Sequence, residues 1–256
     1  MNILCIGDVV GSAGCCFLEQ HLPSIKRQYA VDVCIVNGEN SADGNGMTCT
    51  SANRLFTCGA DVVTGGNHTF RRPEAYDLLE QKNGAMRPAN YPATAPGSGV
   101  FIVDKGRFQV AVINLLGVVY MEPLACPFET LNAILADKDL PVCRIVDFHA
   151  EATAEKKALA YYVDGRVSAV FGTHTHVQTA DEQILPGGTG FISDVGMTGP
   201  IQSVVGIQPE LAVSKMRDKL PVRFAVAKGP CMLNAVLLTL DSQTGKTTAI
   251  QRLDIR

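Results

Sequence analysis

The chain has 256 residues, 46% of them hydrophobic and 18% charged, which is enough to bury the core of one large domain or two small ones. The formal net charge of −3, spread along the chain, excludes the basic footprint of a duplex DNA or ribosome binder. A small phosphate-bearing ligand stays compatible with this charge, because a bound metal can supply its own positive field.

The first third of the chain alternates strand-like apolar runs with helical stretches. The hydrophobic pattern predicts strands over 2–7, 33–36 and 61–64, helices over 14–29 and 48–58, and a further helix that begins near Arg72-Pro73-Glu74. This alternation is typical of a parallel sheet built from βαβ units.

The pattern changes from about residue 99 onward. Strands predicted over 99–103 and 108–113 flank the turn Asp104-Lys105-Gly106-Arg107, so antiparallel pairing is expected here. Beyond this hairpin the pattern predicts helices over 128–138 and 151–163 and strands over 143–148, 167–171, 189–193 and 232–240. Residues 194–231 are rich in Gly and Pro, which predicts a loop-rich insertion or a small lid. The expected fold class is α/β with a mixed sheet, and one domain is predicted over 1–256.

The cysteines and the apolar runs indicate the compartment. Cys5 and Cys34 lie inside apolar runs, Cys15-Cys16 lies on the first predicted helix, and no CxxC pair occurs. We therefore expect nine buried free thiols in a reducing cytoplasm, not disulfides or thiolate metal ligands. The start of the sequence has no basic leader or cleavage site, and no apolar stretch approaches the ~20 residues of a membrane span. We expect a soluble, cytoplasmic protein without a membrane partner.

Polar side chains that can bind metals follow five of the strand-like runs directly. Because the carboxyl ends of strands converge on the ligand crevice of an open α/β sheet, we expect these side chains to gather in one place. They are Asp8, Glu39, Asn40, Asn67, His68, His149, His174 and His176. This set holds too many ligands for one metal ion and is about right for two.

The turn after the first strand has the sequence GDVVGSAG, so a nucleotide-binding glycine loop has to be considered. Its spacing is not the dinucleotide fingerprint GxGxxG, and no Gly-Lys-Ser/Thr is present to make a Walker loop. Asp8 at the strand end would also repel a pyrophosphate unless a cation lay between them. A turn that presents Asp8 to a metal is favoured over a plain tight turn and over a cofactor loop.

The other motifs differ in how strongly each one, taken alone, indicates a metal site. Glu39 and Asn40 are compatible with ordinary loop residues, and His149 is as compatible with a core histidine as with a ligand. His174 and His176 form the sharpest local signal, because imidazoles at i and i+2 of an extended segment point the same way and can bind neighbouring metals.

Several polar residues near these motifs have less specific interpretations. Asp194 follows another strand and is either a surface loop residue or the acceptor that orients a metal-binding histidine through its second ring N–H. Arg71 and Arg72 could reach a phosphate, although solvated arginines at a helix start are favoured. His21, within the first predicted helix, is expected to have a structural or surface role.

The order of the motifs resembles the calcineurin-like metallophosphoesterases, whose usual signature is DxH, GDxxD, GNHE, H and GHxH. Two departures stand out: Val10 replaces the histidine of the first motif, and Gly38-Glu39-Asn40 replaces the aspartate block of the second. These departures and the strings MNILCIGDVVG, NGENSADGNGMT, GGNHTF, RPANYP, GTHTHVQTAD and DVGMTGP resemble the bacterial YmdB-type branch over nearly the whole chain. The resemblance implies a sandwich of two mixed sheets flanked by helices. It also implies a dinuclear metal-dependent phosphodiesterase acting on cyclic nucleotides, notably 2′,3′-cyclic ones.

The resemblance further implies a role for each site residue. One metal would be held by Asp8, Glu39, Asn40 and His176, and the other by Glu39, Asn67, His149 and His174, with Glu39 bridging. Asn40 would occupy the place of the missing histidine, and His68 would protonate the leaving alkoxide as a general acid. Two metals ~3.5–4 Å apart would lower the pKa of a shared water and clamp an in-line displacement. The oxygen and nitrogen donors suit Mn, Fe, Ni or Zn and do not choose among them.

Two alternatives remain open on the sequence. A phosphomonoesterase or protein phosphatase would use the same metals and differ in what lines the cleft. A non-enzymatic regulator would bind nucleotide or RNA and keep the metals for stability, but the presence of His68, which folding does not need, argues against it. The expected partner is a small phosphate ester such as a cyclic nucleotide, and a homo-oligomer is predicted.

Overall fold

The computed structural model describes all 256 residues and contains thirteen strands and six helices. The strands are β1 (Asn2–Ile6), β2 (Asp8–Val9), β3 (Val33–Asn37), β4 (Val62–Thr64), β5 (Val100–Asp104), β6 (Gln109–Leu116), β7 (Cys143–His149), β8 (Ala169–Thr173), β9 (Gln183–Ile184), β10 (Gly190–Ile192), β11 (Met197–Pro200), β12 (Cys231–Leu240) and β13 (Thr247–Ile255). The helices are α1 (Gly11–Gln28), α2 (Cys49–Cys58), α3 (Glu74–Glu80), α4 (Pro127–Leu135), α5 (Thr153–Tyr162) and α6 (Pro209–Asp218).

The strands form two mixed sheets. The seven-stranded sheet has the order β2-β11-β12-β1-β3-β4, with β13 paired to β12, and the six-stranded sheet has the order β5-β6-β7-β8-β10-β9. Strand β1 runs parallel to β3, and β6, β7 and β8 are also parallel neighbours, as βαβ connections require. The expected hairpin is present, since β5 pairs antiparallel with β6.

The alternation of side chains along the strands explains how the layers pack. In β1, Ile3 and Cys5 face a core shared with the other sheet, whereas Leu4 and Ile6 face the helices. In β6, Val110 points into the same inter-sheet core. Both faces of these strands are therefore buried, which accounts for their continuous apolar runs.

The helices cover the outer faces of the two sheets. Helices α1, α2 and α3 pack on the seven-stranded sheet through residues such as Leu18, Leu55 and Leu79. Helices α4 and α5 pack on the six-stranded sheet through Leu131 and Leu159. The predicted fold class, a sandwich of two mixed sheets flanked by helices, is confirmed.

Three of the stretches that the sequence pattern misjudged bear on the layout of the fold. Strand β13 was missed because most of its side chains are exposed, so it has no apolar run. Residues 194–231 contain strand β11 and helix α6 between their loops; β11 was missed because its sequence is MTGP. The first helix begins at Gly11, three residues before the predicted start. Whether part of 194–231 acts as a lid stays a prediction.

All nine cysteines are free thiols, as expected, but the prediction that all are buried is wrong. Cys5, Cys15, Cys34 and Cys143 are buried, whereas Cys16 and Cys126 are exposed on helix surfaces or caps. No helix combines the length and the hydropathy that a bilayer span requires.

Candidate metal centre

The carboxyl ends of strands from both sheets meet at one edge of the sandwich, as the sequence predicted. Asp8 lies just after β1, and Glu39 just after β3, in the seven-stranded sheet. His149 ends β7 in the six-stranded sheet. One ligand atom from each of these three side chains lies within 4.8 Å of the others, and all three residues are fully buried. These three residues are the core of the candidate metal centre.

His176 and Asn40 complete one side of the cluster. His176 Nε2 lies 3.3 Å from Asp8 Oδ2, and the Asn40 amide nitrogen lies 3.3 Å from the same imidazole nitrogen. The Asn40 amide also donates to Glu39 Oε1 at 2.9 Å. Rotation of the Asn40 amide about χ2 exchanges its nitrogen and oxygen, so the amide oxygen can face the same cluster when a cation is present.

His174 and Asn67 lie on the other side, around His149. His174 Nδ1 lies 3.1 Å from His149 Nε2, and the Asn67 amide oxygen lies 3.0 Å from the same atom. The second nitrogen of His174 is paired with Glu151 at 3.1 Å. Because Glu151 is paired with Nε2, Nδ1 is the nitrogen of His174 that faces the cluster. Glu151 was not identified from the sequence.

The backbone of this region is shaped for close approach. A Cβ at Gly66 would collide with the Glu39 carboxylate and the His149 ring, so only glycine fits at this position. His174 and His176 both have positive φ, 103° and 63°, which non-glycine residues adopt rarely. The prediction that they lie in an extended segment is therefore wrong, since β8 ends at Thr173. The two histidines are therefore held in their positions by their surroundings.

His68 lies at the edge of the cluster beside a cavity. Its Nδ1 is 3.0 Å from Glu39 Oε1, and its backbone N–H donates to Glu39 Oε2 at 2.8 Å. The side chain is 20% exposed and lines the cavity. With Nδ1 on the carboxylate, Nε2 is the nitrogen left to meet a ligand, and its neighbours are the amides of Asn67 and Asn45.

A buried hydrogen-bond network behind His149 was not anticipated from the sequence. His149 Nδ1 lies 2.9 Å from the Thr173 hydroxyl, which donates to Asp147 Oδ1 at 2.7 Å. Asn37 donates to the other oxygen of Asp147 at 3.1 Å. Because the Thr173 proton is given to Asp147, Nδ1 of His149 must carry the proton, and Nε2 is free to bind a metal. The position of Asp147, two residues before His149 on the same strand face, was the available signal.

The suggested role of Asp194 as acceptor for a histidine ring is wrong. Its carboxylate pairs with the buried Lys156 ammonium at 2.8 Å. It also accepts from the backbone N–H of Thr175 at 3.0 Å and from the Thr175 hydroxyl at 2.8 Å. Asp194 therefore holds the turn between the two histidines, not the rings themselves.

Of the two arginines after Asn67-His68, Arg71 is exposed, as favoured, whereas Arg72 is not simply solvated, because it binds the protein backbone. Arg72 Nε donates to the carbonyl of Asn45 at 3.0 Å, and a second nitrogen donates to the carbonyl of Asp43. These bonds fix the loop that borders the cavity.

The charges of the centre follow from burial and proximity. Burial would raise the pKa of Asp8, but the charge and the hydrogen bond of His176 hold that pKa below its usual value. Burial would lower the pKa of His176, yet the nearby Asp8 carboxylate raises it to about 9. Burial dominates at His149 and moves its pKa well below the usual value, so its imidazole is neutral.

The donor set fits hard or borderline divalent cations. Two buried carboxylates, Asp8 and Glu39, have only histidines as charged partners, and no Lys or Arg pairs with either. Burying two carboxylates side by side is costly unless a cation compensates them. The surrounding imidazole and amide groups are ligands for transition metals.

The chain is similar to known proteins over almost its whole length. A family model described as YmdB-like protein matches residues 4–253. A 2′,3′-cyclic-nucleotide 2′-phosphodiesterase of Bacillus subtilis is 45% identical over 255 residues, covering 99% of this chain and 96% of that protein. A crystal structure of a Thermus thermophilus protein has a TM-score of 0.94 at 38% identity, covering 99% of this chain and 98% of that one. The structure of a Mycoplasma pneumoniae phosphatase has a TM-score of 0.93 at 33% identity, with coverage of 100% and 93%.

Proposed function

The chain belongs to the YmdB-like family, and on that premise we propose that it is a metal-dependent phosphodiesterase that hydrolyses nucleoside 2′,3′-cyclic phosphates. The observation that carries the proposal is the buried cluster of Asp8, Glu39 and His149, which lies beside a cavity lined by His68. The name of the Bacillus subtilis relative supports the choice of substrate class.

We propose that the centre holds two divalent transition-metal ions of the Mn, Fe, Ni or Zn type. The ligand sets are Asp8, Glu39, Asn40 and His176 for one ion and Glu39, Asn67, His149 and His174 for the other. When bound, two such ions lower the pKa of water and neutralise charge on the phosphoryl oxygens. The tautomer set by Thr173 and the neutral state of His149 support its assignment as a ligand.

His68 is proposed as the general acid. Its Nδ1 bond to Glu39 orients the ring, and Nε2 is left to deliver a proton to the ribose oxygen that leaves phosphorus. Because the ribose alcohol has a high pKa, its alkoxide is a poor leaving group unless it receives this proton. The partial exposure of His68 beside the cavity supports contact with substrate and not with the protein core.

Turnover of 2′,3′-cAMP, 3′,5′-cAMP and p-nitrophenyl phosphate, measured side by side on metal-loaded protein, tests this function. The expected result is fastest hydrolysis of 2′,3′-cAMP, and Glu39→Gln is the inactive control. Monoester turnover far above diester turnover would instead favour a phosphatase, the alternative that the name of the Mycoplasma pneumoniae structure supports.

We further propose that the protein is a homo-oligomer in a reducing cytoplasm. Nine free thiols support the reducing compartment. Light scattering of the purified protein tests the oligomer, and a monomeric mass at micromolar concentration would contradict it.

A further inference from the structure

The cavity beside the metal centre has an apolar side that the proposed chemistry does not use. The cavity has a volume of about 210 Å³, and its apolar side is formed by Val205, Ile207, Phe224 and Val226. We call these four residues the apolar wall. Phe224 is 45% exposed and Val205 is 44% exposed. Exposed apolar side chains gathered beside a polar site are typical of a surface that a ligand covers.

The apolar wall is fixed by the backbone on which it stands. Ile207 and Val226 form an antiparallel bridge between two segments of otherwise irregular chain. On either side of that bridge, Gln208 N donates to Ala225 O at 3.0 Å and Ala227 N donates to Gly206 O at 2.9 Å. A ligand that binds here therefore meets a preformed surface and loses little free energy in ordering it.

The apolar wall is also joined to the metal centre. The His176 Nδ1–H donates to the carbonyl of Val205 at 2.9 Å, which fixes the wall relative to a proposed ligand. Next to it, Gly206 has a φ of +99°, and a Cβ there would lie only 2.7 Å from Val10 Cγ1. Val10, at the position where the metallophosphoesterase signature has a histidine, therefore lies against Gly206 and itself lines the cavity.

The two sides of the cavity match the two ends of a nucleotide. Resting on the proposed phosphodiesterase function, we propose that the apolar wall binds the nucleobase of the substrate and that Phe224 stacks on the face of the base. Stacking of a base on an aromatic ring tolerates any base, because every base has a flat π-face. Phe224 is thus a specificity residue that selects nucleoside cyclic phosphates over cyclic diesters without a base.

The test compares 2′,3′-cAMP with glycerol 1,2-cyclic phosphate, which has the same five-membered diester ring and no base. Phe224→Ala should raise KM for 2′,3′-cAMP about 5-fold to 150-fold, the range that one stacked base accounts for. The change should be in KM more than in kcat, because stacking on the base is equal in the ground and transition states. The preference for 2′,3′-cAMP over glycerol 1,2-cyclic phosphate, as a ratio of kcat/KM, should fall by the same factor.

Two further variants make the result specific. Phe224→Tyr keeps the aromatic ring and should retain most of the preference. Leu220→Ala removes an apolar side chain that is 65% exposed in the same segment but does not line the cavity, and it should leave both substrates unaffected.

Equal losses on both substrates, or no change in the preference, would overturn the role of the apolar wall while leaving the phosphodiesterase function intact. If the wild-type protein hydrolysed neither diester, the proposed function would fail, and the wall would be tested by calorimetric binding of adenosine. Weaker adenosine binding by Phe224→Ala than by Leu220→Ala would then support the wall, and equal binding would reject it.

Discussion

Replacement of Asp194 by asparagine tests how the turn between His174 and His176 is held. Asp194 and Lys156 are 1% and 2% exposed at their side chains, and their charged atoms lie 2.8 Å apart. Asp194→Asn leaves the Lys156 ammonium buried without a counter-charge. Breaking a buried ion pair by removing one partner costs about 3–5 kcal/mol. Since a domain has about 5–15 kcal/mol of stability in total, this single change should be among the most destabilising available.

A double-mutant cycle separates the ion pair from the hydrogen bonds of Asp194. Lys156→Met alone should cost about 3–5 kcal/mol, because it leaves the carboxylate unpaired. The double variant should lose much less than the sum of the two single losses, since no buried charge is left uncompensated. It should still be less stable than wild type, because the N–H of Thr175 loses a carboxylate acceptor at 3.0 Å.

Urea unfolding of the metal-free protein measures these differences without the contribution of bound metal. The same variants should bind metal more weakly, because His174 and His176 can relax from their positive φ values once the turn is released. Asp218→Asn, at a surface ion pair, is the matched control and should leave the urea midpoint unchanged. Additive losses in the cycle, or an Asp194→Asn midpoint equal to that of the control, would refute this account of the turn.

Three other predictions concern the metals and the acid. Elemental analysis after gentle purification should find close to two metal equivalents per chain, and Glu39→Ala should deplete both ions. One fully occupied site with no second ion would contradict the dinuclear proposal. The His68→Ala variant should keep its metals but have a kcat for 2′,3′-cAMP that is lower by ~10²–10⁴. Its loss of activity on bis-p-nitrophenyl phosphate should be much smaller, because that leaving group needs no proton. Equal losses on the two substrates would exclude His68 as the general acid. Because the pKa of His176 is raised to about 9 in the metal-free protein, its imidazole is protonated at neutral pH and must lose that proton to bind metal. Metal affinity should therefore rise with pH toward 9, with proton release in weak buffer at pH 7, and a pH-independent affinity would exclude His176 as a ligand.

The local sequence predicted where the candidate site residues lie along the chain. Strands that are buried on both faces have continuous apolar runs in the sequence, and each run ends where the backbone leaves the sheet. The polar residue that follows each run can therefore be predicted to lie at the edge of the sheet. Asp8, Glu39, His149 and the pair His174 and His176 were identified in this way. The same reasoning failed for β13 and β11, because an edge strand with exposed side chains and a strand containing Gly and Pro have no such run.

Only the tertiary structure decided which polar groups become partners. Asn37 and Asp147 are 110 positions apart in the sequence, and Lys156 and Asp194 are 38 apart, yet each pair forms a buried contact. A hydrogen bond or ion pair depends on distance in space, and the local hydrophobic pattern does not indicate which remote side chain will lie within hydrogen-bonding distance. The apolar wall has the same origin, since Phe224 lines the cavity beside the candidate metal centre and its segment pairs with residues 206–208. The sequence therefore determined which side chains stand at the strand ends. The packing of the two sheets determined how those side chains are oriented and which side chains lie opposite them.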